Sequence, residues 1–265
     1  MNTKFPKVQP LVSIITPAFN SEKYIAASLT SVQEQSFKDW EHIIVDDNSN
    51  DRTAEIIQQF VERDKRFVLL KQIENFGPAK ARNKALKHAR GRFIAFLDSD
   101  DLWDPRKLEI QIQFMMKDGI PFTFSTYNLM RENGDIFGER KVPKSVCYHD
   151  VLKQCNIGCL TAVYDTAYFG KVEMPDIKKR QDVGLWLKLL RVSDRGHGIA
   201  QSLASYRVHE ESLSANKISA AIFTWRLYRN IEKLSLLKSL YFFSFYSVNG
   251  ITRLWKNELI WIFRK

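Results

Sequence analysis

Short apolar runs alternate with longer stretches whose apolar positions recur three and four residues apart, and this alternation fills the first 117 residues. Leu11-Val12-Ser13-Ile14-Ile15-Thr16 has the composition of a buried strand, which Pro17 is expected to stop. A helix is predicted from about Ser21, with Ile25, Leu29 and Val32 on one face. His42-Ile43-Ile44-Val45 predicts a second strand. A helix should follow from near Arg52, with Ile56, Ile57, Phe60 and Val61 inward, and then a third strand over Phe67 to Gln72. Asn75-Phe76-Gly77-Pro78 reads as a turn whose proline opens a helix bearing Ala81, Ala85, Leu86 and Ala89. Arg92 to Leu97 predicts the fourth strand, and Asp104-Pro105 the start of a helix carrying Leu108, Ile112 and Met115. Strands alternating with helices imply a parallel α/β sheet, whose ligands bind outside the carboxyl ends of the strands.

The polar motifs fall at those ends: Thr16 to Asn20, Asp46 to Asp51, and Asp98 to Asp101. Three loops far apart in sequence are thus expected to converge on one crevice. In the last of them, Phe96-Leu97-Asp98-Ser99-Asp100-Asp101, an apolar strand delivers three carboxylates within four residues. Like charges this close repel, and dehydrating them is costly, so a cation belongs among them. Carboxylate oxygens suit Mg²⁺ or Mn²⁺, and these ions often bring a substrate phosphate. A solvated turn capping the next helix is the plainer alternative; Asp104 already explains that cap without the three acids before it. Neither GxGxxG nor GxxxxGK[ST] occurs, which disfavours a nicotinamide enzyme and a P-loop NTPase.

Beyond residue 117 the pattern weakens. Pro121 to Tyr127 predicts a strand, and Arg131 to Pro143 a hairpin around Asn133-Gly134. The run Ile177-Lys178-Lys179-Arg180-Gln181-Asp182 leads into a helix with Val183, Trp186, Leu187 and Leu190 as its apolar stripe. Asp182 falls in or just before the first turn, where it is either a helix cap or a functional acid. Cys147, Cys155 and Cys159 are an odd number without metal-ligand spacing, consistent with reduced, structural thiols. Met1 to Pro10 lacks the apolar core of a secretion signal, so a cytoplasmic location is expected.

Taken together, Val12 to Asn20, Ile43 to Thr53, Asn75 to Asn83 and Phe96 to Asp101 resemble the family 2 glycosyltransferases, in order and spacing, over residues 11 to about 214. Arg180 to Leu187 and Tyr206-Arg207-Val208-His209 look like bacterial members that build capsule, O-antigen or teichuronic-type polysaccharide. The resemblance implies the GT-A fold, Rossmann-like with a mostly parallel sheet, a nucleotide-sugar donor with uridine favoured, Mn²⁺ or Mg²⁺, and inversion at the anomeric carbon. It implies that Thr16, Ala18 and Asn20 line the nucleotide pocket, that Asp47 accepts from the uracil N–H beside Asp46, and that Arg82 flanks base or ribose. Asp98 would touch ribose or metal, with Ser99 in the same turn, and Asp100 would be the main metal ligand. Asp182 matches the catalytic base, although Gln181 stands where the family usually has Glu. His209 matches a position that approaches metal or diphosphate in some relatives; alone, it reads equally as a structural histidine. Arg207 and Lys178-Lys179-Arg180 would add positive potential around the leaving diphosphate. Asp182, with an ordinary carboxylate pKa of about 4, would be ionised at neutral pH and limited by positioning.

The domain reading is a catalytic domain over 1–216, with a nucleotide half at about 11–117 and an acceptor half at about 118–216, followed by a basic segment over 217–265. The net charge is +10, and the last segment holds nine basic residues against Glu232 and Glu258. Leu234 to Ile251 is apolar and aromatic but interrupted by Lys238, serines and Asn249, short of a clean span of ~20 residues. The expected arrangement is helices lying on an anionic membrane, suited to a polyprenyl-diphosphate-linked acceptor. A single tilted span or a helical appendage packed on the catalytic domain are the alternatives. Nucleic-acid binding is disfavoured because the charge gathers in the tail and no zinc-finger or RNP signature occurs. An inactive sugar- or nucleotide-binding module on the same fold is the remaining alternative.

Overall fold

The computed structural model describes residues 9–209 and 217–248. The first half follows the alternation closely: β1 (Val12–Ala18), α1 (Ile25–Gln33), β2 (Trp40–Asp46), α2 (Thr53–Arg63), β3 (Phe67–Lys71), α3 (Pro78–His88) and β4 (Phe93–Phe96). These strands lie in the order β3-β2-β1-β4, all parallel. Both faces are covered, so β1 and β2 are buried almost throughout. Ile25, Leu29, Val32, Ile57, Leu108, Ile112 and Met115 pack on one face, and α3 joins the core on the other through Ala81, Ala85 and Leu86.

Pro17 does not stop β1, which continues to Ala18. Ile15 of β1 accepts from Leu97 on the β4 side, whereas Ala18 accepts from Asp47 on the β2 side. Pro17 therefore faces the β4 side, where its missing N–H ends the ladder with β4 after Ile15, while the pairing with β2 runs on to Ala18. Gly91, just before β4, is required by close approach: a Cβ there would lie 2.5 Å from the Ser13 backbone nitrogen. α1 starts at Ile25 rather than near Ser21, because Ser21 to Tyr24 form a turn.

The second half is mixed rather than mostly parallel. After β4 come β5 (Leu102–Trp103), α4 (Lys107–Asp118), β6 (Phe122–Met130), β7 (Ile136–Arg140), β8 (Ser145–Cys147), α5 (Tyr148–Lys153), β9 (Val163–Asp165), α6 (Thr166–Phe169), α7 (Gln181–Ser193) and β10 (Arg195–Arg207). The sheet continues β4-β9-β6-β10-β5, with β9 antiparallel to β4 and β6, β10 parallel to β6, and β5 antiparallel to β10. The expected hairpin around Asn133-Gly134 is the β6–β7 pair.

The described part of the tail, 217–248, packs onto the rest of the chain. α8 (Lys217–Arg226) runs into a π-helical turn, Leu227–Ile231, and a last helix, α9, covers 236–248. Leu227, Tyr228 and Phe242 join the same core as α5 and α7. Glu232, almost fully buried, accepts from Arg191 at 2.6 Å and Tyr148 at 2.5 Å. Among the described residues, no helix is long and apolar enough to cross a membrane. Arg253, Lys256, Glu258, Arg264 and Lys265 lie outside the described residues.

Candidate functional site

The parallel half opens its crevice at the ends of β1, β2 and β4, and its loops are tied to one another. Asn20 takes the left-handed conformation, φ 46°. Its side-chain oxygen accepts from the Asn50 backbone N–H at 2.9 Å, and its own backbone N–H donates to Ser49 Oγ at 3.0 Å. Ser49 in turn donates to Asp46 Oδ1 at 2.5 Å. Asp47 accepts from the backbone N–H groups of Phe76 at 2.9 Å and Gly77 at 2.7 Å, and from the Gln72 amide. Gly77, at φ 88°, occupies a conformation costly for any residue with a Cβ, and this brings its N–H to the carboxylate. Thr16 is fully buried with its hydroxyl 2.8 Å from His42 Nε2, and Ala18 is buried too. Asp46 and Asp47 are buried beside them, and Asn20 is exposed.

At the end of β4 the three aspartates have three different surroundings. Asp98 forms a close ion pair with Arg82 of α3. Burial works against the Arg82 guanidinium, but the charges of Asp98 and, more weakly, Asp182 hold its pKa above the ordinary arginine value. Its Nε–H is buried without a partner, a donor left over for a ligand. Asp100 is partly exposed, with Oδ2 2.7 Å from His209 Nε2. Asp101 is fully buried and accepts the Arg207 backbone N–H at 2.8 Å. Burial and its two neighbouring aspartates push the Asp101 carboxyl well above the usual range.

β5 brings Arg207 and His209 here. It leaves the aspartate turn at once and pairs with β10, Ser205 opposite Leu102. Arg207 is buried; its Nε donates to the Asp100 carbonyl and its Nη1 to the Glu132 carbonyl, both at 2.8 Å, with the guanidinium 4.5 Å from the Tyr24 ring centroid. It thus acts on the site through the Asp100 backbone and its positive field. Glu132 also accepts from Lys23 at 2.8 Å and Tyr24 at 2.9 Å, walling the His209 side.

Asp182 lies in the first turn of α7, half-buried, within the fields of Arg82 and Asp98. Burial raises its pKa, opposed by the Val183 backbone N–H and by Arg82 and Arg180, so the carboxyl is not ordinary as the sequence suggests. Arg180, before it, is left-handed at φ 68°. The basic run does not turn as a block toward the aspartates: Lys179 donates to Ser219 of α8 at 3.0 Å, and Arg180 to Tyr246 of α9 at 3.0 Å. Cys159 belongs to the same neighbourhood, feeling Arg82, Asp98 and Asp182, and burial pushes its thiol well up. Tyr24, Glu132 and Cys159 carry no motif that would have marked them.

Residues 13–156 match the model described as glycosyl transferase family 2. The chain belongs to that family. Its relatives include TuaG of Bacillus subtilis (strain 168), a glycosyltransferase named for teichuronic acid biosynthesis, 44% identical over 92% of this chain and 98% of TuaG. Escherichia coli WfgD, a UDP-Glc:alpha-D-GlcNAc-diphosphoundecaprenol beta-1,3-glucosyltransferase, is 39% identical over 92% of this chain and 94% of WfgD. S. aureus TarS 1-349 in complex with UDP-GlcNAc has the same fold, with TM-score 0.69 and 23% identity over 89% of this chain and 71% of that one. This family 2 glycosyltransferase therefore has the GT-A architecture.

Among the described residues, no three His, Cys, Asp or Glu side chains are grouped to hold a metal. Asp98 is engaged by Arg82, which leaves Asp100 and His209 as adjacent oxygen and nitrogen donors. The Asp100 carboxylate fits a hard divalent ion that takes its other ligands from substrate phosphate and water, as Mg²⁺ commonly does, whereas the His209 imidazole suits a softer ion than Mg²⁺.

Proposed function

We propose that this glycosyltransferase transfers a hexose, with inversion, from a UDP-sugar to a hydroxyl of a saccharide carried on polyprenyl diphosphate, in assembly of a cell-surface polysaccharide. Arg82 carries the reading: one buried guanidinium pairs with Asp98 at the donor turn and lies in the field of Asp182 at the next, so two sets of groups share one crevice. The names of TuaG and WfgD support the polymer class, the UDP-sugar and the lipid-linked acceptor.

In this reading Asp47, already fixed by three donors, has acceptor capacity left for the uracil N–H, within walls made by Thr16, Ala18, Asn20 and Asp46. Asp98, Ser99 and the spare Arg82 N–H face the ribose and diphosphate side. Asp100 and His209 would hold Mn²⁺ or Mg²⁺, which supplies Lewis-acid stabilisation of the departing diphosphate. Arg207 holds the Asp100 backbone in place. The acceptor oxygen attacks the anomeric carbon opposite the leaving oxygen; its proton passes to an Asp182 oxygen as the bond to the β-phosphate breaks. The raised pKa of Asp182 makes it a stronger base than a free carboxylate while the acceptor is positioned beside it.

Membrane placement belongs to the same proposal. Leu237, Leu240, Tyr241, Phe245 and Val248 form an exposed stripe at helical spacing on α9, with Lys233 and Lys238 nearby, while Phe242 faces the core. The protein would then sit on the inner face of the cytoplasmic membrane. The test is a panel of UDP-sugars incubated with the protein and Mn²⁺, with UDP release measured. Release from at least one, lost in Asp100→Ala, is expected; no release from any UDP-sugar, with or without a lipid-linked acceptor, overturns the reading.

A further inference from the structure

A cavity of about 470 Å³ lies between the loop leading into α7 and α8 with the π-helical turn that follows it. Asp176, Ile177 and Lys178 line one wall; Phe223, Arg226 and Asn230 line the other. Its charges are unequal. Asp176 is drawn to Lys80 at 3.5 Å, whereas neither Lys178 nor Arg226 has a carboxylate partner among the described residues. The Arg226 guanidinium lies 5.6 Å from the centroid of the Phe223 ring, and the Lys179 ammonium 6.0 Å from the same ring. Two cations on separate elements around one cavity repel until an anion joins them. A guanidinium forks onto phosphate oxygens, a lysine serves as a mobile point charge, and the Asn230 amide adds a neutral donor. Phe223 and Ile177 give the cavity an apolar side suited to the chain beyond the phosphate.

The cavity is also placed to matter. Lys178 is four residues before Asp182. The wall carrying Phe223 and Arg226 is held against α7 where Gly184 meets Pro175 and Leu227; a Cβ at Gly184 would lie 2.4 Å from Pro175 Cγ. α9 follows Asn230 closely and carries the exposed apolar stripe.

We propose that this cavity is a phosphate-binding subsite that takes the phosphate or diphosphate of a lipid, with Lys178 and Arg226 as its cationic jaws. The proposal rests on the lipid-linked-acceptor reading above in placing that lipid beside Asp182. The phosphate has two possible sources, the isoprenoid diphosphate of the acceptor or the headgroup of an anionic bilayer lipid, and the test separates them.

Farnesyl diphosphate is titrated calorimetrically into the full chain saturated with UDP and Mn²⁺, so that the donor site is filled. Co-sedimentation with phosphatidylglycerol and with phosphatidylcholine vesicles runs in parallel. Lys178→Ala/Arg226→Ala is compared with wild type and with Lys178→Arg/Arg226→Lys; both side chains are exposed, and melting curves check that the variants fold. Farnesyl diphosphate is expected to bind at least tenfold more weakly to the alanine pair, and within threefold of wild type to the charge-conserving pair. A loss confined to phosphatidylglycerol vesicles assigns the site to the bilayer headgroup instead. Equal binding of both probes by wild type and the alanine pair overturns the proposal. The readout needs no turnover: UDP-sugar turnover without Lys178/Arg226-dependent binding sinks the cavity alone, and such binding without turnover sinks the transferase reading alone.

Discussion

The two turns whose carboxylates feel Arg82, Asp98 by contact and Asp182 through its field, are built differently. The turn at Asp98 to Asp101 is held from within: Arg82 grips Asp98, the Arg207 backbone grips Asp101, and the Arg207 side chain grips the Asp100 carbonyl. The turn at Lys178 to Asp182 contains a left-handed Arg180 and leans on the tail, through Ser219 and Tyr246. Under the proposed roles, a donor-side turn fixed by its own domain suits a ligand of constant shape, the nucleoside diphosphate, and an acceptor-side turn held by peripheral helices can respond to what those helices touch.

The largest effect expected is at Asp182. Asp182→Asn should lower transfer by roughly 10²- to 10⁴-fold, the range for loss of a general base. In the wild type, kcat/KM should fall as pH drops through the raised Asp182 pKa, because the protonated acid cannot accept the acceptor proton; the pH–rate profile shows this as an acidic limb shifted upward from the ordinary aspartate value. Next is the link between the turns. Arg82→Met strands a mostly buried Asp98, and urea denaturation should show a loss of about 2 kcal/mol, below the usual figure for a broken buried pair because Asp98 keeps some solvent. Asp47→Ala releases the 72–77 loop, and the donor KM should rise by about tenfold, loss of one charge-assisted hydrogen-bond set. Smallest is Tyr246→Phe, which removes the hydrogen bond to Arg180: kcat for transfer should drop by roughly two- to fivefold with the donor KM unchanged. An equal change in donor KM would erase the distinction between the turns.

Legibility from sequence divides along nearly the same line. β1, β2 and β4 are apolar runs buried on two faces and the half-buried edge strand β3 is an apolar run too, so composition alone marks them, and the motifs at their ends lie where a parallel sheet must put its ligands. β10 escaped notice because Arg195 to Arg207 mixes glycines, serines and charges, and its register with β6 slips twice. Yet β10, paired with the two-residue β5, carries Arg207 and His209 to Asp100, a meeting across more than a hundred residues that the family resemblance implied but no local pattern encodes. Glu132 and Tyr24 went unseen for the same reason. Pro17 misled because a proline withholds a donor from one neighbouring strand only: pairing with β4 ends there, while pairing with β2 runs on to Ala18.

The division of labour between the turns can be tested by calorimetric titration of the UDP-sugar that gives UDP release, with Mn²⁺, into wild type, Asp100→Ala and Asp182→Asn. The account predicts that Asp182→Asn binds the donor like wild type while transferring almost nothing, and that Asp100→Ala binds it at least tenfold more weakly. Donor affinity lost equally in both variants would contradict it.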